Sequence, residues 1–142
     1  MPGRFAPLAV STLLLICLAT ACAPPALDTS ALFPEQVGPF ARTSGPGVEA
    51  ETGVDLAVYE APEGAVRLRV RQVPQEQVGP ALAGLPPGAT EVGPDEALGQ
   101  RQGTFFSFGG EYHVAWANGD WIFVLSAPTD YLRRAFLASY SY

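Results

Sequence analysis

The run Glu111-Tyr112-His113-Val114-Ala115-Trp116-Ala117-Asn118-Gly119-Asp120-Trp121-Ile122-Phe123-Val124-Leu125-Ser126 decides the fold class. Asn-Gly between two alternating apolar segments is a strong hairpin signal, because a type I′ turn needs φ > 0 at both central residues. A two-residue Asn118-Gly119 loop sets Ala117 opposite Asp120, Trp116 opposite Trp121, Val114 opposite Phe123 and Tyr112 opposite Leu125. Tyr112, Val114, Trp116, Trp121, Phe123 and Leu125 then share one face. Glu111, His113, Ala115, Ile122 and Val124 form the other, which is too apolar for a solvated surface, so the pair is expected to be covered on both sides.

The same period-2 signal extends outward. Thr104-Phe105-Phe106-Ser107-Phe108, joined through Gly109 and Gly110, adds a strand, making a meander over Thr104 to Ser126. Ala65 to Arg71 alternates with Val66, Leu68 and Val70 facing in. Leu56 to Tyr59 pairs with it across the turn residues Ala61-Pro62-Glu63-Gly64. After Pro128, Thr129 suits an N-cap for a helix in which Leu132, Ala135, Phe136, Ser139 and Tyr140 recur at spacings of three and four, with Arg133 and Arg134 outward. A weaker helical pattern covers Gln75 to Leu85, interrupted by Gly79 and Pro80. The pentapeptide Glu35-Gln36-Val37-Gly38-Pro39 returns as residues 76–80, which reads as either a duplicated unit or biased composition.

These elements predict a small α+β domain: a mainly antiparallel sheet of about five strands with the C-terminal helix packed on one face. A chain of 142 residues suits one domain. The 48% hydrophobic and 15% charged content excludes a disordered solvating chain. With 15 Gly and 14 Pro, short elements and many turns are expected. The formal net charge of −6 lacks the basic footprint of a nucleic-acid binder.

The N-terminus reads as an address. Arg4 is the one charge before Asp28, and it precedes an apolar run from Phe5 to Ala21 that ends in small residues, the layout of a cleavable export signal. Ala19-Thr20-Ala21-Cys22 resembles the lipobox of bacterial lipoproteins, with Ala19 where Leu is commonest. The resemblance covers residues 1–22 and implies diacylglycerol on Cys22 and cleavage before it. The other cysteine, Cys17, lies within the apolar run, so cleavage would leave a lone thiol that acylation explains. The expected division is a signal peptide over 1–21, an acylated cysteine and Pro-containing tether over 22–32, and one domain over 33–142. Beyond Cys22 fourteen acidic residues face seven arginines, so anionic headgroups repel the body and the acyl chains are expected to do the anchoring. Ala23 stands where an inner-membrane retention signal would place Asp, which favours the periplasmic face of an outer membrane where the cell has one.

Chemistry-bearing residues are sparse. His113 is the one histidine, which leaves little for a catalytic triad or a multi-histidine metal site. Beside Glu111 it reads as either a general base or a hydrogen-bonded sheet histidine. Gly45, Gly47 and Gly53 lie in a loop without the lysine of a P-loop, and the chain has no lysine. Glu49, Glu51 and Asp55, or Asp95 and Glu96, lack the ligand spacing of a calcium loop. No catalytic residue, metal or cofactor is therefore expected, and the chain is not read as an enzyme. Two features remain. Arg67, Arg69 and Arg71 stand on one strand face about 7 Å apart, either to meet an anionic partner or to pair with Glu60, Glu63 and other carboxylates. Tyr112, Trp116, Trp121 and Phe123 either line a cavity for an apolar ligand or form a packed core. The expected function is a membrane-anchored envelope lipoprotein acting as a binding or interaction module, its candidate partners an envelope protein or a hydrophobic ligand. The alternative is a carrier for a lipid or other hydrophobic small molecule.

Overall fold

The computed structural model describes residues 29–91, 98, 99, 101 and 103–142. Cys22, the signal peptide and most of the tether lie outside the described residues, as do Asp95 and Glu96. After a 3₁₀ turn at Ser30–Leu32 come β1 (Gln36–Val37), β2 (Phe40–Val48), β3 (Asp55–Ala61), β4 (Gly64–Gln72) and α1 (Gln75–Ala83). They are followed by β5 (Thr90–Glu91), β6 (Gly103–Phe108), β7 (Glu111–Asn118), β8 (Trp121–Ala127) and α2 (Asp130–Ser139). Among the described residues the strands form one sheet in the order β1-β2-β3-β4-β8-β7-β6-β5, and every described pair is antiparallel. The α+β class and the C-terminal helix stand. The sheet has eight strands rather than about five.

The five alternating segments became β3, β4, β6, β7 and β8. The three additions carry no readable period. β1 and β5 are two residues each, and the register of β2 on β3 shifts twice, between Arg42 and Ser44 and between Ser44 and Gly47. A bulge moves side chains off strict alternation, which erases the pattern that marks a strand.

The β7–β8 hairpin turns one residue later than Asn118-Gly119 predicts. Asn118 pairs with Trp121, Trp116 with Phe123 and Val114 with Leu125. Gly119 (φ +63°) and Asp120 occupy the turn, and no described non-glycine residue has positive φ. A glycine at the first central position alone is the requirement of a II′ rather than a I′ turn. Because the slip moves every pair by two residues, both faces keep their predicted members.

The front face carries the core. Phe105, Val114, Trp116, Phe123, Leu125, Leu68, Val70, Ala57 and Tyr59 are buried there under Leu132, Phe136, Leu137 and Tyr140. Thr129 caps α2, its Oγ1 accepting from the Leu132 N–H at 3.3 Å. Arg133, expected outward, is 2% exposed. It lies three and four residues from Phe136 and Leu137, so helical geometry sets it on the apolar face. Its guanidinium sits 4.1 Å over the Phe105 ring and Nε donates to Asp130 Oδ1 at 3.0 Å. Arg134 projects outward as expected and bonds the other Asp130 oxygen at 2.8 Å.

The weaker helix exists as α1 with Gly79 and Pro80 inside it, and none of its residues is fully buried. It lies on the back face, where Thr104 Oγ1 donates to the Leu82 carbonyl at 3.0 Å. Ala115 and Ile122 are buried on that side whereas His113 and Val124 are half-buried, so the back of the central pair is covered in part. The repeated pentapeptide forms β1 and a turn in its first copy and α1 in its second, which removes it as a sign of duplication. The halves share an element order, but a two-fold relating antiparallel β4 and β8 would put both helices on one face, and they lie on opposite faces.

Tyr59 is fully buried, and its hydroxyl has no hydrogen-bond partner among the described residues. Burial pushes that hydroxyl's pKa up to about 12. Because a stranded polar atom loses water without compensation, Tyr59→Phe is expected to stabilise the domain by about 0.5–1 kcal/mol in urea unfolding at pH 7. The raised pKa adds a second expectation. The neutral phenol's contribution is complete below the unfolded value near 10 and is lost as pH rises through the folded value, so the variant's advantage grows between about pH 10 and 12.

Candidate functional site

The back face is where polar chemistry and open surface coincide. Register places Val58, Arg67, Ser126, His113 and Phe106 in one row across β3, β4, β8, β7 and β6. The next row is Leu56, Arg69, Val124, Ala115 and Thr104. α1 reaches across the β6 side of this face and leaves the β3–β4 side half open.

His113 belongs to the sheet rather than to a catalytic pair with Glu111. Its ring stacks on Phe106 at 4.9 Å. Nε2 lies 3.1 Å from the Phe108 carbonyl, which can only accept, so in the neutral ring Nε2 carries the proton and Nδ1 accepts from Ser126 Oγ at 2.8 Å. Ser126 is 2% exposed, which shuts its hydroxyl away from a substrate. The carboxylate of Glu111 is engaged by Arg67.

The arginine stripe is real, and its partners differ from Glu60 and Glu63. Arg67 pairs with Glu111, and Arg69 with Glu49 at 3.3 Å. On the back face Arg67 faces Val58 across the β3–β4 ladder, so its guanidinium reaches over β8 to β7 instead. Glu49 comes from the β2–β3 connection, which folds over the sheet. Hydrogen bonds from Thr52 and then Arg69 hold its carboxyl below the ordinary glutamate range. Arg71 is exposed and has no carboxylate partner among the described residues. Between the loop and the stripe lies a groove of about 260 Å³ lined by Thr52, Val54, Arg69, Arg71, Ile122 and Val124. Ile122 and Val124 sit on the face read as too apolar for solvent. Thr52 and Val54 carried no signal, because a loop's landing place is set by tertiary contact.

The aromatic residues gather on the front face. Trp116 and Phe123 stack cross-strand at 5.2 Å, Tyr140 meets both edge-on, and both are fully buried beneath α2. Trp121 is half-buried against this core, and Tyr112 is half-buried towards the far end of β7. Trp116 Nε1 donates to the Tyr142 backbone oxygen at 3.0 Å. Beside them Leu98, Arg101, Asn118 and Tyr142 border an open cleft of about 500 Å³.

Among the described residues no group of three or more His, Cys, Asp or Glu side chains is placed to hold a metal ion. Among them no helix is long and apolar enough to cross a membrane. No family model matches the chain, and no curated protein is significantly similar to it. Among solved structures the chain is similar to a GTP binding regulator from Thermotoga maritima, at 16% identity and a TM-score of 0.52, over 81% of this chain and 87% of that one. At that identity the likeness is one of fold.

Proposed function

We propose that the chain is exported and held through an acylated Cys22 at a bacterial membrane, on the periplasmic face of the outer membrane where the cell has one. Its domain acts there as a non-enzymatic binding module for an envelope protein. The lipobox-like Ala19-Thr20-Ala21-Cys22 supports the anchor. The observation that carries the binding role is the contrast between the two sheet faces. The front is filled by α2, whereas the back keeps an apolar groove with arginines at its rim. A carrier of hydrophobic small molecules is the second reading, favoured by the cleft beside Trp116, whose volume of about 500 Å³ falls in the range of ligand pockets.

Native mass spectrometry of the protein gently extracted from its own membrane tests this. The expected spectrum shows a diacylglyceryl or triacyl increment on Cys22, lost in Cys22→Ser, and a protein adduct. An unmodified Cys22 overturns the anchor. A discrete small-molecule adduct in place of protein moves the assignment to the carrier.

A further inference from the structure

The stripe of three arginines is not uniformly compensated. Glu111 takes Arg67 and Glu49 takes Arg69, so among the described residues the Arg71 end is left without a carboxylate partner. That end forms one rim of the groove, whose floor is the half-buried Val124 with Ile122, 2% exposed, at its base, and whose far wall is Thr52 and Val54. A guanidinium presents a planar fork that matches a carboxylate, and the neighbouring apolar floor rewards a ligand with an aliphatic group beside its charge. The domain's acidic balance repels such a ligand elsewhere and steers it here. The groove holds about 260 Å³, room for one carboxylate and one aliphatic side chain projecting from a larger body.

We infer that the back-face groove docks a segment of a partner protein in which an Asp or Glu stands next to an aliphatic residue, the carboxylate on Arg71 and the aliphatic side chain on Ile122 and Val124. The inference rests on the binding-module reading and names its partner's chemistry. Arg71 anchors the contact and gives it charge selectivity. Arg69, already shared with Glu49, supplies a second donor when the incoming carboxylate competes for it.

The test uses the full chain in its own membrane with a photo-crosslinker placed either at Thr52, on the groove, or at Tyr131, which is 65% exposed on α2 at the opposite face. The expected result is a discrete protein adduct from Thr52 and none from Tyr131. The crosslinked peptide should carry an acidic residue adjacent to an aliphatic one. Its yield should fall about tenfold in Arg71→Glu and by less in Arg71→Lys, which keeps the charge but loses the planar fork, with thermal unfolding unchanged in both, since losing one charge-assisted pair is worth about 1.4 kcal/mol. An adduct indifferent to Arg71→Glu, a crosslinked peptide without that acidic-aliphatic pair, or a lipid adduct at Thr52 overturns the inference. Protein adducts from Tyr131 alone overturn the groove and leave the binding module standing, and no protein adduct from either position overturns both.

Discussion

Phe136→Ala is expected to remove about 3–5 kcal/mol of stability, a large part of the roughly 5–15 kcal/mol that holds a domain of this size together. Phe136 is fully buried at the centre of the helix–sheet interface. Its ring meets Phe40 edge-on at 5.4 Å and Tyr59 at 5.1 Å, and lies near-parallel to Tyr140 at 5.4 Å. Truncation therefore leaves a void walled by three rings on separate elements that cannot all collapse into it. Urea unfolding is the measurement, and a fall in Tm of about 10–20 °C should accompany the loss. The result bears on function. If the aromatic face were a ligand cavity, Phe136 would be one wall of a space already empty and its truncation would cost under about 1 kcal/mol.

A second large effect is expected further along β2, where Gly45→Ala should cost more than about 2 kcal/mol. Gly45 has φ +83°, and a Cβ there would sit 2.3 Å from the Leu56 carbonyl oxygen and 2.9 Å from Ala57 Cα. Both atoms are backbone of β3, so relief requires moving β2 off its partner. Gly53→Ala separates the two contributions. It shares a positive φ of +67° but meets nothing within 4 Å, so it should show only the conformational cost of about 1 kcal/mol. Equal losses in the two variants would mean that β2 shifts freely at its bulges. Because the β2–β3 connection carries Glu49, Thr52 and Val54, Gly45→Ala should also loosen the wall of the back-face groove.

Much of the candidate site was legible, and the limits follow from which interactions are local. The stripe Arg67, Arg69, Arg71 and the apolar residues Ile122 and Val124 were all assigned correctly to faces, because alternation along a strand is a property of consecutive residues. That these two sets lie side by side was not legible, since it depends on β4 pairing with β8 across the whole intervening chain. Thr52 and Val54 were invisible for the same reason. Arg133 shows a different failure. The stripe through Leu132, Ala135, Phe136, Ser139 and Tyr140 leaves out Leu137, and with Leu137 on the buried side the spacing carries Arg133 there too. Asp130 within hydrogen-bond reach and the Phe105 ring beneath it accommodate its charge there.

Period-2 and period-3.6 patterning thus determined which long segments are strands or helix and which side chains share a face. Parity survives a slip of two residues, so the error in the Asn118-Gly119 turn left every facing intact. Only the tertiary structure decided the order of the strands, the three short or bulged strands without a period, the burial of Arg133, the filling of the aromatic face by α2 and the half-open back face with its groove. Each of those depends on contacts between residues distant in the chain, whose free energy is set by what finally packs against what and leaves no mark on the local pattern.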